Sequence, residues 1–181
     1  LSSLFHVFID LNETVQSDQN KQIEIGMMAK SMQLPKFTIQ NRVHNAYNRK
    51  MVQQERVTYE PVTITFHDDS ANVVRDFWQG YFQYYYRDSD YLGNEPVYNY
   101  DSKYQQRQQQ AWGYSPVAND GNQNYVKAIR IYSLHQKRFS SYSLIRPTIT
   151  SFSHGQHVAG DYVPLEHTMT VAYESMLYDS G

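Results

Sequence analysis

The sequence predicts an α+β, mainly β fold: an antiparallel β-sandwich or barrel with one packed α-helix. Three observations predict it. Apolar and polar residues alternate with period two in short segments near both ends of the chain, the signature of half-buried strands. One stretch near the middle instead repeats its apolar residues at a spacing of about four, the helical period. Gly, Pro, Asn and Asp punctuate the intervals. The 181 residues give room for one domain, so 1–181 is read as a single unit with a Tyr- and Gln-rich insertion at about 87–124.

Each element has its own justification. In Leu1–Leu11, Phe5, Val7, Ile9 and Leu11 alternate with His6, Phe8 and Asp10, which reads as a strand. The segment has neither the basic start nor the cleavage site of a secretory signal. Ile23, Ile25 and Met27 alternate again, leading to Leu34 and Pro35, where the missing proline N–H marks a strand end or bulge. Phe37–Gln40 is short and extended. Asn41–Arg56 is polar, carries Arg42, Arg49, Lys50 and Arg56, and reads as a long loop projecting from the sheet. Val57–Phe66 is the clearest strand, with Val62, Ile64 and Phe66 on one face and Thr63 and Thr65 on the other. Pro61 puts its first half near an edge or a bulge.

Asp68, Asp69 and Ser70 are candidate N-caps for a helix over Ala71–Tyr86. Its apolar stripe runs through Val74, Phe77, Trp78, Tyr81, Phe82 and Tyr85. Gly80 inside this helix costs about 1 kcal/mol relative to Ala, which close packing against a neighbour would explain. Arg87–Asn124 has no sustained period, so it contacts something or carries a short helix around Lys103–Ala111. Strands resume at Tyr125–Leu134, Ser141–Phe152 and Glu166–Leu177. In the last, His167, Met169, Val171, Tyr173 and Ser175 share one face, and Thr168, Thr170, Ala172 and Glu174 share the other.

Composition narrows the function. The formal charge is −2, too balanced for a dedicated nucleic-acid binder. With no Cys, the chain has no disulfide, zinc–thiolate site or thiol nucleophile. No run approaches the roughly 20 apolar residues of a membrane span. The 17 Tyr stand out in a chain with a mean hydropathy of −0.69. Tyr joins an apolar ring to a polar tip, so this abundance points to surfaces that are wet before assembly and buried after it.

The candidate chemistry is sparse. His154 and His157 are three apart with Asp161 nearby, but Gly155 and Gly160 make this a turn, and polar loop residues are the plainer reading. Asp68 and Asp69 could form an acid–base pair with a loop His; ahead of a helical stripe they read first as caps and dipole partners. No nucleophile elbow, phosphate loop or dinucleotide fingerprint occurs. The basic residues of 41–56 are diluted by Glu55 and amides, which suits contact with protein better than with phosphate. The strands carry faces of Thr and Ser, as in a sheet with one wetted face. Open edges of such a sheet invite pairing with other chains, and closing sheets between protomers into a barrel removes the edges.

The order of features resembles the tail tube proteins of contractile-tailed bacteriophages. The matching pieces are LFHVFIDL, then MAKSMQLPKFTI, then the basic Asn48-Arg49-Lys50. VTITFHDD follows and leads into VVRDFWQGYF. After the insertion come VKAIRIYSLH, IRPTITSFS and the closing HTMTVAYESMLY. The resemblance implies a tail-tube-like fold in hexameric rings that stack into a hollow tube. That tube is the conduit for the genome and the rod driven through the host envelope when the sheath contracts. It implies a virion tail location after assembly in the host cytoplasm, and no catalysis, metal or cofactor. Its implied partners are other copies of the chain, the tail sheath protein, and tape-measure and baseplate proteins, with genomic DNA passing through unbound.

By the same resemblance, Ala46, Tyr47, Asn48, Arg49, Lys50, Met51, Val52, Gln53 and Gln54 would meet the next ring or the adjacent subunit. The lumen sheet would take Val57, Tyr59, Thr63, Thr65, Thr168, Thr170, Ala172 and Glu174. The helix would cover the core-facing side of that sheet. A tube-initiating or baseplate subunit, a tailocin tube and a type VI secretion tube share this pattern. A monomeric binding module using the Tyr-rich insertion and a small hydrolase are the readings from other classes.

Overall fold

The computed structural model describes residues 4–12, 25–26, 28–68, 72–87, 113–114, 124–135, 138–156 and 164–180. In chain order the strands are β1 (Leu4–Leu11), β2 (Ala29–Met32), β3 (Lys36–Ala46), β4 (Arg49–Glu60), β5 (Val62–His67), β6 (Tyr86–Arg87), β7 (Gly113–Tyr114), β8 (Val126–His135), β9 (Arg138–Ile145), β10 (Thr148–Ser153), β11 (Glu166–Ala172) and β12 (Ser175–Ser180). Helix α1 (Val73–Tyr85) lies between β5 and β6. Two four-stranded antiparallel sheets result, ordered β1-β8-β9-β12 and β10-β11-β5-β2. Neither closes into a barrel within the described residues. The mainly β fold with one packed helix is as the alternation predicts.

The period-two pattern decides what is buried. β5 and β11 alternate strictly between buried and half-buried residues. Val62, Ile64, Phe66, Met169 and Val171 enter one core with Val7, Ile9, Ile129, Ile131 and Leu144 of the other sheet, and α1 adds Val74, Phe77 and Tyr81. Each fully buried aliphatic or Phe side chain contributes about 1.5–3 kcal/mol before conformational entropy is counted.

Two expected strands are each bent into two. Ser141–Phe152 breaks at Arg146 and Pro147: Arg146 is left-handed (φ 49°) and proline has no N–H to donate, so β9 ends in one sheet and β10 begins in the other. Glu166–Leu177 breaks beside it, at Tyr173 and Glu174. There β11 leaves β10 and β12 pairs with β9. The two bends face each other: Glu174 donates its N–H to the Ile145 carbonyl at 3.1 Å, and Arg146 pairs with Glu174 across 3.4 Å. One antiparallel pair thus crosses from sheet to sheet at a shared corner, the usual way a sandwich turns.

Two other expectations are corrected. Residues 41–56 are not a loop. β3 and β4 pair along their whole length as one hairpin, from Lys36↔Glu60 to Ala46↔Arg49, with a bulge next to Gln40. Val57–Phe66 is correspondingly two elements parted at Pro61, with Val57 and Tyr59 in the hairpin and Val62–His67 in the sheet. In the second place, Ile25 and Gly26 are helical rather than extended, and the strand comes later, at Ala29–Met32. The short helix considered at Lys103–Ala111 lies outside the described residues; the ends of the insertion meet in the pairs Tyr86↔Tyr114 and Arg87↔Gly113.

α1 is tied to both sheets by phenol oxygens one helical turn apart. Tyr81 accepts the Ile149 N–H of β10 at 3.0 Å, and Tyr85 accepts the Tyr125 N–H at the head of β8 at 2.9 Å. Their rings pack with Tyr125, which stands edge-on to Tyr81 at 5.7 Å. Trp78 stacks on Phe152 of β10, with centroids 4.7 Å apart and planes 3° from parallel.

This packing explains Gly80. A Cβ there would lie 2.6 Å from the Tyr125 hydroxyl oxygen. Helix propensity alone makes Gly80→Ala stabilising by about 1 kcal/mol. We expect instead a loss of about 1–3 kcal/mol in urea denaturation, the cost of overpacking. In a Tyr125→Phe background the loss should shrink or reverse.

Burial pushes the Tyr125 phenol up to about 12, with Tyr85 adding to it, and burial also raises Tyr85 against the opposing Tyr125 N–H. The unfolded chain releases these protons near pH 10, whereas the folded chain keeps them. The stabilisation is therefore complete below about pH 10 and is lost as pH rises through about 12. Denaturation midpoints across that interval should fall, and Tyr125→Phe should flatten the fall.

Candidate assembly surfaces

The outward face of β10-β11-β5-β2 is a field of hydroxyls. Since alternate residues of a strand share a face, the register lines up Ser153, Thr168, Thr65 and Ser31 in one row and Ser151, Thr170 and Thr63 in the next. Thr-opposite-Thr pairs of this kind stabilise a sheet modestly without charge. One end of the face carries charge. There Lys30 pairs with Glu166, and His67 lies 3.8 Å from the same carboxylate. The Lys30 hydrogen bond holds Glu166 below the usual carboxylate range.

The structure brings Thr63, Thr65, Thr168 and Thr170 together on this face and places Ala172 at its margin, opposite Thr148. It separates the other three expected positions from it. Val57 and Tyr59 belong to the hairpin, because Pro61 interrupts the strand, and Glu174 sits in the corner turn between β11 and β12. The sheet's outer strands are β2 and β10. The Ile149 N–H on β10 is already taken by Tyr81, and Thr150 is bulged with its hydroxyl on the Thr170 carbonyl, so this edge is partly closed.

Ala46–Gln54 forms the outer end of the β3–β4 arm. Every residue from 36 to 58 is exposed. The turn is Tyr47-Asn48, with Tyr47 in the left-handed region (φ 54°) that tight hairpin turns require and its side chain fully exposed. Register sorts the arm into two faces. Phe37, Ile39 and Val43 lie with Val52, Val57 and Tyr59, while Lys36, Arg42, Arg49 and Arg56 lie on the reverse. Lys36–Glu60 and Arg42–Glu55 are exposed ion pairs, worth about 0–1 kcal/mol each. The root is fixed by Tyr59 packing on Tyr173 at 5.5 Å and by the Tyr173 hydroxyl donating to the Lys36 carbonyl at 3.5 Å.

One pairing looks catalytic and is built for something else. Asp68 Oδ2 lies 2.9 Å from His167 Nε2, with the two side chains 1% and 2% exposed. The His167 Nδ1 accepts the Gly155 N–H at 3.4 Å, so Nε2 carries the proton and donates it to Asp68. Neither nitrogen is left to act as a base on a substrate. Asp68 Oδ1 accepts the Val74 N–H at 3.4 Å in the first turn of α1, but the N-cap expected among residues 68–70 is instead Asn72, left-handed at φ 55° and without a side-chain cap bond. The dyad therefore fastens the helix to β11. His154 stands edge-on to His167 at 5.3 Å, whereas His157, Asp161 and Asp69 lie outside the described residues. Sequence reasoning missed His167, which alternation presents only as another inward position.

No protein family and no curated protein matches the sequence. Solved structures do match in fold. A chain of the sheath/tube terminator of an extracellular contractile injection system, PVC, in its extended state aligns over 97% of this chain and 92% of its own, with a TM-score of 0.55 at 7% identity. A chain of the PVC sheath–tube complex aligns over 98% and 88%, with a TM-score of 0.54 at 6% identity. A chain of the anti-feeding prophage baseplate aligns over 98% and 93%, with a TM-score of 0.50 at 13% identity. At these identities the likeness is one of fold. The tail-tube-like fold expected from the sequence is the one observed.

His167→Ala should cost about 3 kcal/mol in urea denaturation, because it opens a cavity and strips a donor from a buried carboxylate. His167→Gln, which can return an N–H to Asp68, should recover part of that loss. Equal losses for both would show that the hydrogen bond carries no weight.

Proposed function

We propose that this chain is a structural subunit of the tube of a contractile tail. Copies would form hexameric rings that stack into the hollow conduit for the genome, which is also the rod driven through the host envelope on sheath contraction. The observation that carries the reading is the β3–β4 arm. A hairpin exposed from residue 36 to 58, with an apolar face and only its root packed on the body, is stable in water only marginally, and it gains a reason to exist when another copy covers it. The fold shared with components of contractile injection systems supports the same reading.

In this arrangement the hydroxyl face of Thr63, Thr65, Thr168 and Thr170 lines the lumen, and strand edges of neighbouring copies pair around the ring. A wall of uncharged hydroxyls releases no counterions from passing DNA and so does not grip it. Residues 46–54 meet the next ring. The chain acts as one domain over 1–181, with an insertion at about 87–124 that contains β7, the partner of β6. Sheath, tape-measure and baseplate proteins are its tail partners, the virion tail is its place, and it is not an enzyme. The repeated arm contact favours the stacking subunit over a single initiating or baseplate ring.

Negative-stain microscopy of the purified protein should show rings and rods. Deleting Ala46–Gln54 should abolish rods while circular dichroism of the body stays unchanged, since none of these residues is buried. Rods from the deleted protein would overturn the role of the arm, and a monomer with no rings under any condition would overturn the tube.

A further inference from the structure

The described part of the chain carries a second exposed apolar patch, at the far end of the molecule from the root of the arm. Leu4, Leu134 and Phe139 are direct neighbours across β1, β8 and β9 and share one face. They are 69%, 49% and 44% exposed. The arm is rooted at the corner, beside Tyr173, where Ile145 pairs with Ser175. Phe139 and Ile145 are six residue steps apart along β9, about 20 Å of strand. The patch and the arm thus lie at opposite ends of the strand direction.

We propose that the apolar face of the arm of one copy docks on the Leu4–Leu134–Phe139 patch of another. This rests on the stacked-ring reading above and gives the arm its receiving site. A surface that meets a different surface on its neighbour makes a heterologous contact, which propagates head to tail instead of ending in a pair. Charge supports a second copy as the occupant. Residues 36–60 hold five Lys/Arg and two Glu, a net +3; the remaining eleven Lys/Arg and sixteen Asp/Glu leave the body at −5, which together make the −2 of the chain. Because Lys36, Arg42, Arg49 and Arg56 lie on the reverse of the docking face, this charge steers the encounter of a positive arm with a negative body and leaves the contact itself apolar. Area supports a contact that works only in number. One face of a hairpin about 35 Å long covers roughly 350 Å², against about 800 Å² per partner in a standard interface. A single arm is too weak to hold two monomers, and several arms acting together around a ring are not.

The absence of Cys makes the test clean. Proteins carrying Val43→Cys or Leu134→Cys, both at exposed positions, are mixed, allowed to assemble and treated with a short bismaleimide. Covalent dimers joining position 43 of one chain to position 134 of another, identified by peptide mass, are the expected product. Adding Val43→Asp to an arm labelled instead through Val52→Cys should remove its product with Leu134→Cys. Rods that yield only 43–43 or 134–134 dimers, or no dimer, would overturn the docking site and leave the tube reading intact. Failure to form rings or rods at all, with no mixed dimer, would overturn both.

Discussion

The architecture depends on two tyrosine oxygens. Tyr81 and Tyr85 sit one turn apart on α1, and each accepts a backbone N–H from a different sheet. A hydrogen bond of this kind is worth only about 1 kcal/mol net, but a buried N–H left without its acceptor costs about 1–3 kcal/mol. The sheets are covalently continuous at the corner, where β9 runs into β10 and β11 into β12. The helix supplies the second tie. With both in place, the inner faces hold their spacing and a single core can fill between them. Asp68 and His167 secure the start of the same helix, so its position is set at both ends.

Much of this was legible in the sequence, and the failures share a physical cause. Strict alternation in VTITF and HTMTV identified the sheet, its buried face and its hydroxyl face, because a period of two directly encodes which side chain meets the core. Alternation says nothing about whether a strand stays in one sheet. Glu166–Leu177 keeps its pattern through the corner at Tyr173-Glu174, since both halves still have one face to the core. Pro147 is a signal of the other corner that the reading of Ser141–Phe152 as one strand overlooks: a residue without an N–H in the middle of an apparent strand. The arm was missed for the opposite reason. Its strands bury nothing in the monomer, so selection on the core leaves no strong alternation in QNRVHNA or RKMVQQER. Tyr81, Tyr84, Tyr85 and Tyr86 crowd the end of the helix, yet the tasks of the Tyr85 and Tyr81 phenols depend on backbone 40 and 68 positions away, which no local pattern encodes.

Polar chemistry in this chain follows burial more than reactivity. Asp68 and His167 have the composition of a catalytic pair and the connectivity of a rivet: their bonds to Val74, to Gly155 and to each other join separate parts of the fold. The Thr and Ser rows show the converse. They are outward and accessible, and their regularity suits a surface that must be hydrated without being sticky. The two sheets then do different work: one presents that face and gives rise to the arm between β2 and β5, and the other carries the remote apolar patch.

The independence of the arm from the core has an evolutionary consequence. The side chains of residues 36–58 are all exposed, so under the proposed docking the surface by which copies recognise one another can drift with little effect on the core. Related chains coexisting in one cell could diverge in this hairpin and its receiving patch, and so avoid building mixed assemblies, at almost no cost to folding.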